Sequence, residues 1–442
     1  GSTPNFGSNQ NISVSSSFAG ELDAVHSTLS STGRGGLGTI VTQAAGNDDL
    51  DANGSGTNAS RFTITVAAAD EFGDIQGYSN HGSSILVTAP SGSVTTDISG
   101  SAGYTSSGYR ATFGGTSAST PVTSGVIALM LEANDRFNTN VFGEDGDLGW
   151  RDVQNILAIS ASEAGSGYGN AATGFEVSDW GYNSATNWNG GAMAISGSYG
   201  YGIVDAYAAT RMAEIWSLFD EAQTSANEAT VSETEFTGLT TIPDGSAAGA
   251  DFTVTVAGDI EIEHVALSLS FNTTYVGDVE ITITTPDGTV IDVFRNEGFG
   301  NQSFNGTWTF GVDHLRGETS AGDWIVNVAD VAGGDTLTVT GITLDIFGQT
   351  IDTNDVYHYT NDFLTLANLD ASRLNLEDTN GGTDDWLNLA ATGTADSAAS
   401  LNLTTGVAVT NGTTLQLLSA TNGIEHVVGG DSNETDRRIG RQ

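Results

Sequence analysis

The sequence predicts an α/β unit, then an all-β sandwich, then a further β-rich segment. Three observations carry that division. Before residue 216, buried-strand patterns at Thr39 to Ala44, Phe62 to Ala68 and Ile85 to Thr88 are followed by long helical patterns. From 251 to 348 the apolar period shortens to two, in DFTVTVAG, EHVALSLSF, DVEITITTPDGTVIDVF, FNGTWTFGV, GDWIVNVAD and TLTVTGITLDIFG, with Asp287-Gly288 as a hairpin turn. That pattern is an antiparallel sandwich. After 349 come short β patterns rich in Asn, Asp, Thr and Gly, among them DVYHYTNDF, DDWLNLAAT and GIEHVVGG, with Asn411-Gly412 as a second hairpin.

Within the first unit, GGTSASTP (114–121) opens a helix. The segment STPVTSGVIALMLEAN has apolar residues at Val122, Val126, Ile127 and Leu131 and a proline near its start, an amphipathic helix entered through a glycine turn. Ser117 then stands at the helix N-terminus. Its N–H and the helix dipole face any negative charge developing on an attacked carbonyl, as acyl transfer requires. In a chain with 58 glycines such a string alone is more often loop than active site. The run GTIVTQAAGN changes the weighing, because it ends a strand pattern with Gly46 and Asn47 at its exit, where a neutral amide can donate into the same oxyanion site.

These two motifs, in this order, resemble the subtilisin-like serine proteases. LEAND, GWRDVQ (149–154) and YGYGIVDA (199–206) extend the resemblance to the kexin and furin branch, the proprotein convertases and their bacterial relatives. The resemblance implies an α/β domain with a parallel sheet flanked by helices, Ser117 as nucleophile and Asn47 as oxyanion donor. The family places its catalytic Asp and His before that Asn. Here the upstream histidine is His26, on the helical stripe Phe18, Leu22, Val25, Leu29, and Asp23 lacks the family's Thr-Gly or Ser-Gly context. Both read as ordinary helix-surface residues, and His81, in GYSNHG, falls after Asn47. The expectation is a chain truncated at its N-terminus, with GSTPNFG following the family's Ser-Trp, lacking the catalytic Asp and His and inactive alone.

Four segments are expected: 1–215, the C-terminal part of the peptidase domain; 216–240, a polar linker; 241–348, resembling the jelly-roll-like P (Homo B) domain; and 349–442, a β-rich module. The P-domain match rests on Gly277 to Gly288, Trp308 to Phe310, and His314 with Gly322-Asp323-Trp324. His314 reads as a hydrogen-bonded packing residue, and the domain's implied role is to brace the protease. The final module resembles the lead-in to RTX-type calcium repeats, with one half-turn, Gly429 to Thr435, carrying Ser432 and Glu434 where glycine and aspartate are expected.

Composition fits a secreted protein. The 442 residues correspond to about three domains. There is no cysteine, so no disulfide or thiolate chemistry, and no run approaches the ~18 apolar residues of a membrane helix. The formal charge is −42, and every basic residue is an arginine. Such a surface repels nucleic acid and anionic membranes and attracts cations, either as solubility in a salty medium or as calcium binding. Glu144, Asp145 and Asp147 alternate like a calcium loop without the EF-hand pattern, and an acidic surface turn is the alternative.

The resemblance further implies a polypeptide substrate cleaved after basic residues. Asp48, Asp49 and Asp51 are the candidate specificity acids, because Ser55 stands where the family has a carboxylate. The expected activity is thus a secreted bacterial serine endopeptidase, with type I secretion one route and structural calcium as cofactor. The competing class is a non-catalytic secreted pseudoprotease acting in adhesion or assembly.

Overall fold

TITVAAA is apolar or β-branched throughout and buried at every position, as a strand covered on both faces must be. It forms β2 (Thr63–Ala69), the centre of a three-stranded parallel sheet between β1 (Val41–Ala44) and β3 (Val87–Pro90). The computed structural model describes residues 16–236, 238–295, 303–378, 380–393, 409–410, 413–414, 416–417 and 424–430. Helix α1 (Ser16–Thr32) precedes the sheet, and a hairpin of β4 (Ser93–Thr96) and β5 (Tyr109–Phe113) follows it. Helices α2 (Thr116–Val141), α3 (Trp150–Ser160) and α4 (Ala206–Ile215) come next, with a short ribbon of β6 (Gly181–Tyr182) and β7 (Ala194–Ile195) between the last two.

Helix α2 lies against all three strands. Its buried face is Ser119, Thr123, Val126, Ile127, Met130 and Asn134, so Val122, expected inside, is exposed. Two of the inward polar side chains are satisfied there: Thr123 donates to Ser119 O (3.3 Å), and Asn134 Nδ2 donates to Ala213 O on α4 (3.0 Å).

The second unit is an antiparallel sandwich. One sheet has the order β10-β15-β12-β13, formed by Ser246–Val256, Gly322–Asp330, Val279–Thr284 and Val290–Phe294. The other runs β14-β11-β16-β8, formed by Phe304–Val312, Ile260–Thr273, Leu337–Thr350 and Ala229–Phe236, with β9 (Thr240–Thr241) also on β16. Alternate residues such as Val279, Ile281 and Ile283 point into the core. Gly288, at φ 93°, turns the expected β12–β13 hairpin.

Residues 229–236 correct the linker boundary. They are not connector but the edge strand β8, paired antiparallel with β16. A strand with one exposed face and one free edge carries polar residues at alternate positions, so ATVSETEF resembles a loop in composition.

In the last module β17 (Val356–Thr360), β19 (Trp386–Ala391) and β23 (His426–Val428) stack in parallel. Helix α5 (Phe363–Leu369) lies between the first two, and β18 (Asn375–Leu376) pairs in parallel with β22 (Gln416–Leu417). Parallel pairing joins segments thirty to forty residues apart, which hairpin signals do not reveal. β20 (Val409–Thr410) and β21 (Thr413–Thr414) pair antiparallel. The Asn411-Gly412 turn between them, residues 431–435 of the calcium-repeat half-turn and the N-terminal GSTPNFG lie outside the described residues. The module docks on the first unit: Asn189 and Thr360 exchange two hydrogen bonds (2.8 and 3.0 Å), and the buried His358 ring stacks on Trp216 (5.2 Å).

Candidate active site

Gly115, at φ 84° and ψ 170°, takes a backbone conformation closed to most side chains and turns the chain from β5 into α2. Thr116, Ala118 and Ser119 on that first turn are buried, and Ser117 between them is exposed. The turn is tied to the exit of β1. Thr116 N donates to Asn47 Oδ1 (2.8 Å), and the Thr116 hydroxyl lies within hydrogen-bond distance of Gly46 N (3.2 Å) and Gly46 O (3.3 Å). Because Oδ1 is the acceptor in that bond, the Asn47 amide is oriented and Nδ2 is the donor left for a substrate. Tyr78 and Ser91 brace the same turn, through Gly115 N to Tyr78 Oη (3.2 Å) and Ser91 Oγ to Gly115 O (3.2 Å).

Motif reading missed Thr116 and Asn80. Asn80 Oδ1 accepts from Asp48 N (3.0 Å) and Leu50 N (3.2 Å), holding the loop that carries Asn47. The threonine within GTS was the available signal for the first. Nothing local marks the second.

An exposed serine hydroxyl, its own N–H at a helix start and a fixed amide donor are the parts of an oxyanion-stabilising nucleophile site. If Nδ2 serves an oxyanion, Asn47→Ala in the protein that turns over peptides is expected to lower kcat on the order of 10²–10³-fold with little change in KM. Asn47→Asp keeps the acceptor for Thr116 and is expected to lose as much. Steady-state kinetics in which Asn47→Asp retains wild-type kcat would exclude the donor role.

The six histidines are all placed. His26 is half-buried on α1, where burial lowers its pKa and the Asp23 charge opposes this; the Asp23 carboxylate accepts from Ser60 Oγ (2.8 Å). His81 is buried and lines a cavity between the first two units with Asp51, Asp292, Arg295 and His314. His314 Nε2 donates to Ile85 O (3.0 Å) and meets Tyr201 edge-on, and burial depresses its pKa. His264 bonds Asp313 Oδ1 (3.1 Å), His358 stacks on Trp216, and His426 stacks on Trp386. None is hydrogen-bonded to Ser117 among the described residues.

The candidate acids separate by burial. Asp48 and Asp49 are exposed beside Asn47. Asp51 differs from them: it is 2 % exposed, its Oδ1 accepts from Asn53 N (2.9 Å) and its Oδ2 from Arg295 N of the sandwich (3.2 Å), so its carboxylate is engaged in the seam between the first two units rather than on the surface beside Asn47. The acidic loop divides in the same way. Glu144 and Asp145 are exposed, while Asp147 Oδ1 accepts from Asn138 Nδ2 (3.0 Å) and from the Ser217 hydroxyl. These three do not converge, and among the described residues no group of three or more acids and histidines could hold a metal ion. The loop does not fit the implied calcium.

GWRDVQ proves to be a joint between units. Arg151, 1 % exposed, reaches Glu263 through Nε (2.6 Å) and Nη2 (2.9 Å), and also Gly348 O (2.7 Å) and Thr224 O (3.1 Å). Glu263 sits where the β11–β16 register shifts, a bulge that re-aims its side chain toward α3. Gln154 and Asn155 accept from Arg316 (2.9 and 2.6 Å). A second contact centres on the buried Asn53, whose side chain bonds Ser83 Oγ, Val293 O and both the N and O of Gly311.

Asp152 closes the α3 N-terminus, accepting from Gly149 N (2.7 Å), Gln223 N (2.8 Å) and Trp216 Nε1 (2.9 Å). Burial pushes its pKa up to about 7 against these bonds. A carboxyl whose folded pKa is raised contributes stability that is full below the unfolded value near 4 and is lost as pH rises through 7. Glu263 runs the other way: burial raises it, Arg151 with Arg316 and Asn155 together outweigh burial and the net is lowered, so its contribution is full above the unfolded value and is lost as pH falls from there through the folded value. Asp152→Asn is expected to flatten the fall in stability between pH 5 and 7. Urea titrations giving the same slope for both proteins would contradict this.

Comparison with known proteins follows the same division. Residues 6–202 match the Subtilase family and residues 262–346 match the Proprotein convertase P-domain. The chain is 30% identical over 224 residues to proprotein convertase subtilisin/kexin type 5 of Rattus norvegicus, covering 49% of this chain and 11% of that protein. It is 29% identical over 279 residues to kexin of Candida albicans, covering 58% and 26%. It thus spans about a tenth to a quarter of the length of these relatives. Among solved structures, the serine protease of Aeromonas sobria shares the fold at a TM-score of 0.59 and 20% identity, covering 75% of this chain and 68% of that one.

Proposed function

This chain belongs to the kexin- and furin-like subtilisins that carry a P domain, and from that premise we propose that it supplies the nucleophile and oxyanion site of a secreted serine endopeptidase. The observation that carries the reading is the exposed Ser117 at the α2 N-terminus, one residue from the Thr116 N–H that orients Asn47. Ser117 Oγ attacks the scissile carbonyl, and the Ser117 N–H and Asn47 Nδ2 take the oxyanion. The acyl-enzyme forms as the amine leaves, and water then releases the acid. A general base is needed to take the hydroxyl proton, and among the described residues no histidine is hydrogen-bonded to Ser117. In this reading an Asp–His pair outside the chain completes the triad, and the chain alone hydrolyses peptides barely at all.

The exposed carboxylates of Asp48 and Asp49, next to Asn47, favour a basic residue on the acyl side of the cleaved bond. Secretion fits the acidic, lysine-free composition, and among the described residues no helix is long and apolar enough to cross a membrane.

Peptidyl phosphonates bearing Arg or Leu at the reacting position, used on the protein with its Asp–His pair present, test both points. Labelling mapped to Ser117 and faster for the Arg probe is expected. Absence of labelling by either probe would favour the non-catalytic class. Faster labelling by the Leu probe would reject the basic preference and leave the endopeptidase standing.

A further inference from the structure

Asn47 stands within residues 45–50, which form neither helix nor strand, and the loop includes Gly46 at φ 118° and Asp49 at φ 52°. An irregular loop keeps one position only as firmly as its neighbours hold it. The neighbour here is the segment 78–81. Asn80 N donates to Gly46 O (3.1 Å), Asp49 N to Tyr78 O (3.1 Å), His81 N to Leu50 O (3.1 Å) and Ala52 N to His81 O (2.7 Å).

The Asn80 side chain completes the set, its Oδ1 accepting from Asp48 N (3.0 Å) and Leu50 N (3.2 Å). Asn80 thus grips the chain on both sides of Asn47, at residue 46 through its N–H and at residue 48 through its amide oxygen. It is 3 % exposed, and the approach is close: a Cβ on Gly46 would stand 2.3 Å from Asn80 Nδ2. Two residues earlier, Tyr78 reaches the other half of the site. Its hydroxyl accepts from Gly115 N (3.2 Å) and meets Ser91 Oγ (2.9 Å), which donates to Gly115 O (3.2 Å).

We propose that Asn80 and Tyr78 are positioning residues for the oxyanion site, joining the Asn47 loop and the Ser117 turn into one rigid clamp. Both act on backbone groups, away from the reacting atoms. The Thr116 N–H sets the rotation of the Asn47 amide, and Asn80 sets the backbone from which that amide hangs. A fixed donor stabilises developing charge because it need not move during the reaction, and a misplacement near 1 Å costs about 10²-fold.

The proposal rests on Ser117 and Asn47 as the reacting pair, and the experiment separates its failure from theirs. Steady-state kinetics are measured on the protein with its Asp–His pair present. Asn80→Leu, similar in size but without the acceptor, is expected to lower kcat roughly 10- to 100-fold with KM changed by less than about twofold. Asn80→Asp keeps the acceptor and is expected to recover kcat to within about threefold of wild type. In an Asn47→Ala background, Asn80→Leu is expected to cost less than about twofold further, because its effect passes through Asn47. Tyr78→Phe guards against a folding defect at the buried Asn80. It keeps the half-buried ring, loses only the hydroxyl, and is expected to lower kcat about threefold or more in both backgrounds, because it holds the Ser117 turn. An equal factor for Asn80→Leu in both backgrounds would overturn the proposal and leave the oxyanion reading standing, as would wild-type kcat in Tyr78→Phe. Wild-type kcat in Asn47→Ala would remove that reading and the proposal with it.

Discussion

In the protein that turns over peptides, with Ser117 as the proposed nucleophile, Ser117→Ala is expected to lower kcat on the order of 10⁶-fold, the cost of removing the nucleophile of subtilisin. The physical reason is that the residual site can still bind a carbonyl and face its oxyanion but has no atom to form the acyl-enzyme. What remains is the rate supplied by the amide donors and by positioning, on the order of 10³–10⁴ above water. The substitution is expected to leave the fold intact, because Ser117 is exposed and its neighbours Thr116, Ala118 and Ser119 carry the packing of that turn. Thermal unfolding within about 1 kcal/mol of wild type, together with the loss of turnover, is the expected pair of results. Turnover surviving in Ser117→Ala would place the nucleophile elsewhere.

Arg151→Ala is expected to destabilise the chain by about 3–5 kcal/mol. The side chain is buried between units, and its loss strands the Glu263 carboxylate and leaves the Gly348 and Thr224 carbonyls without this donor. Most of the cost is that stranded charge rather than the worth of the ion pair. Replacing both partners with apolar residues, Arg151→Met with Glu263→Leu, is accordingly expected to recover much of the loss. Urea unfolding should resolve the single variant as a lower midpoint, or as two transitions if the P domain detaches first. A loss below about 1 kcal/mol would mean the joint rests on Asn53 and Arg316 instead.

Local sequence is a good guide where a short range of chain sets the structure. A turn such as Asp287-Gly288 is chosen by its own backbone preferences, and β2 announces itself by seven consecutive core residues. Ser117 and Asn47 could be singled out for the same reason, since a helix start and a strand exit are each written within ten residues. Sequence misread β8 because an edge strand with a wet face has the composition of a linker. The face of α2 was misplaced at Val122 because an acceptor one turn back in the helix for Thr123 and a tertiary one on α4 for Asn134 made polar residues acceptable inside.

Read as a string, this chain already contained its order of units, its acidic character and the two residues proposed for an oxyanion site. Those are properties of composition and near neighbours. Its packing assigned the other charged groups: Asp51 to a buried cap, Asp147 to α2 and Ser217, and Arg151 to the P domain. Beside near partners such as Asn53 for Asp51 and Asn138 for Asp147, these residues meet groups far along the chain, Ser217 for Asp147, Glu263 for Arg151 and Arg295 for Asp51. Whether a carboxylate meets water, an N–H or another carboxylate depends on that long-range contact, because burial and the nearest charge, not residue type, fix its energy.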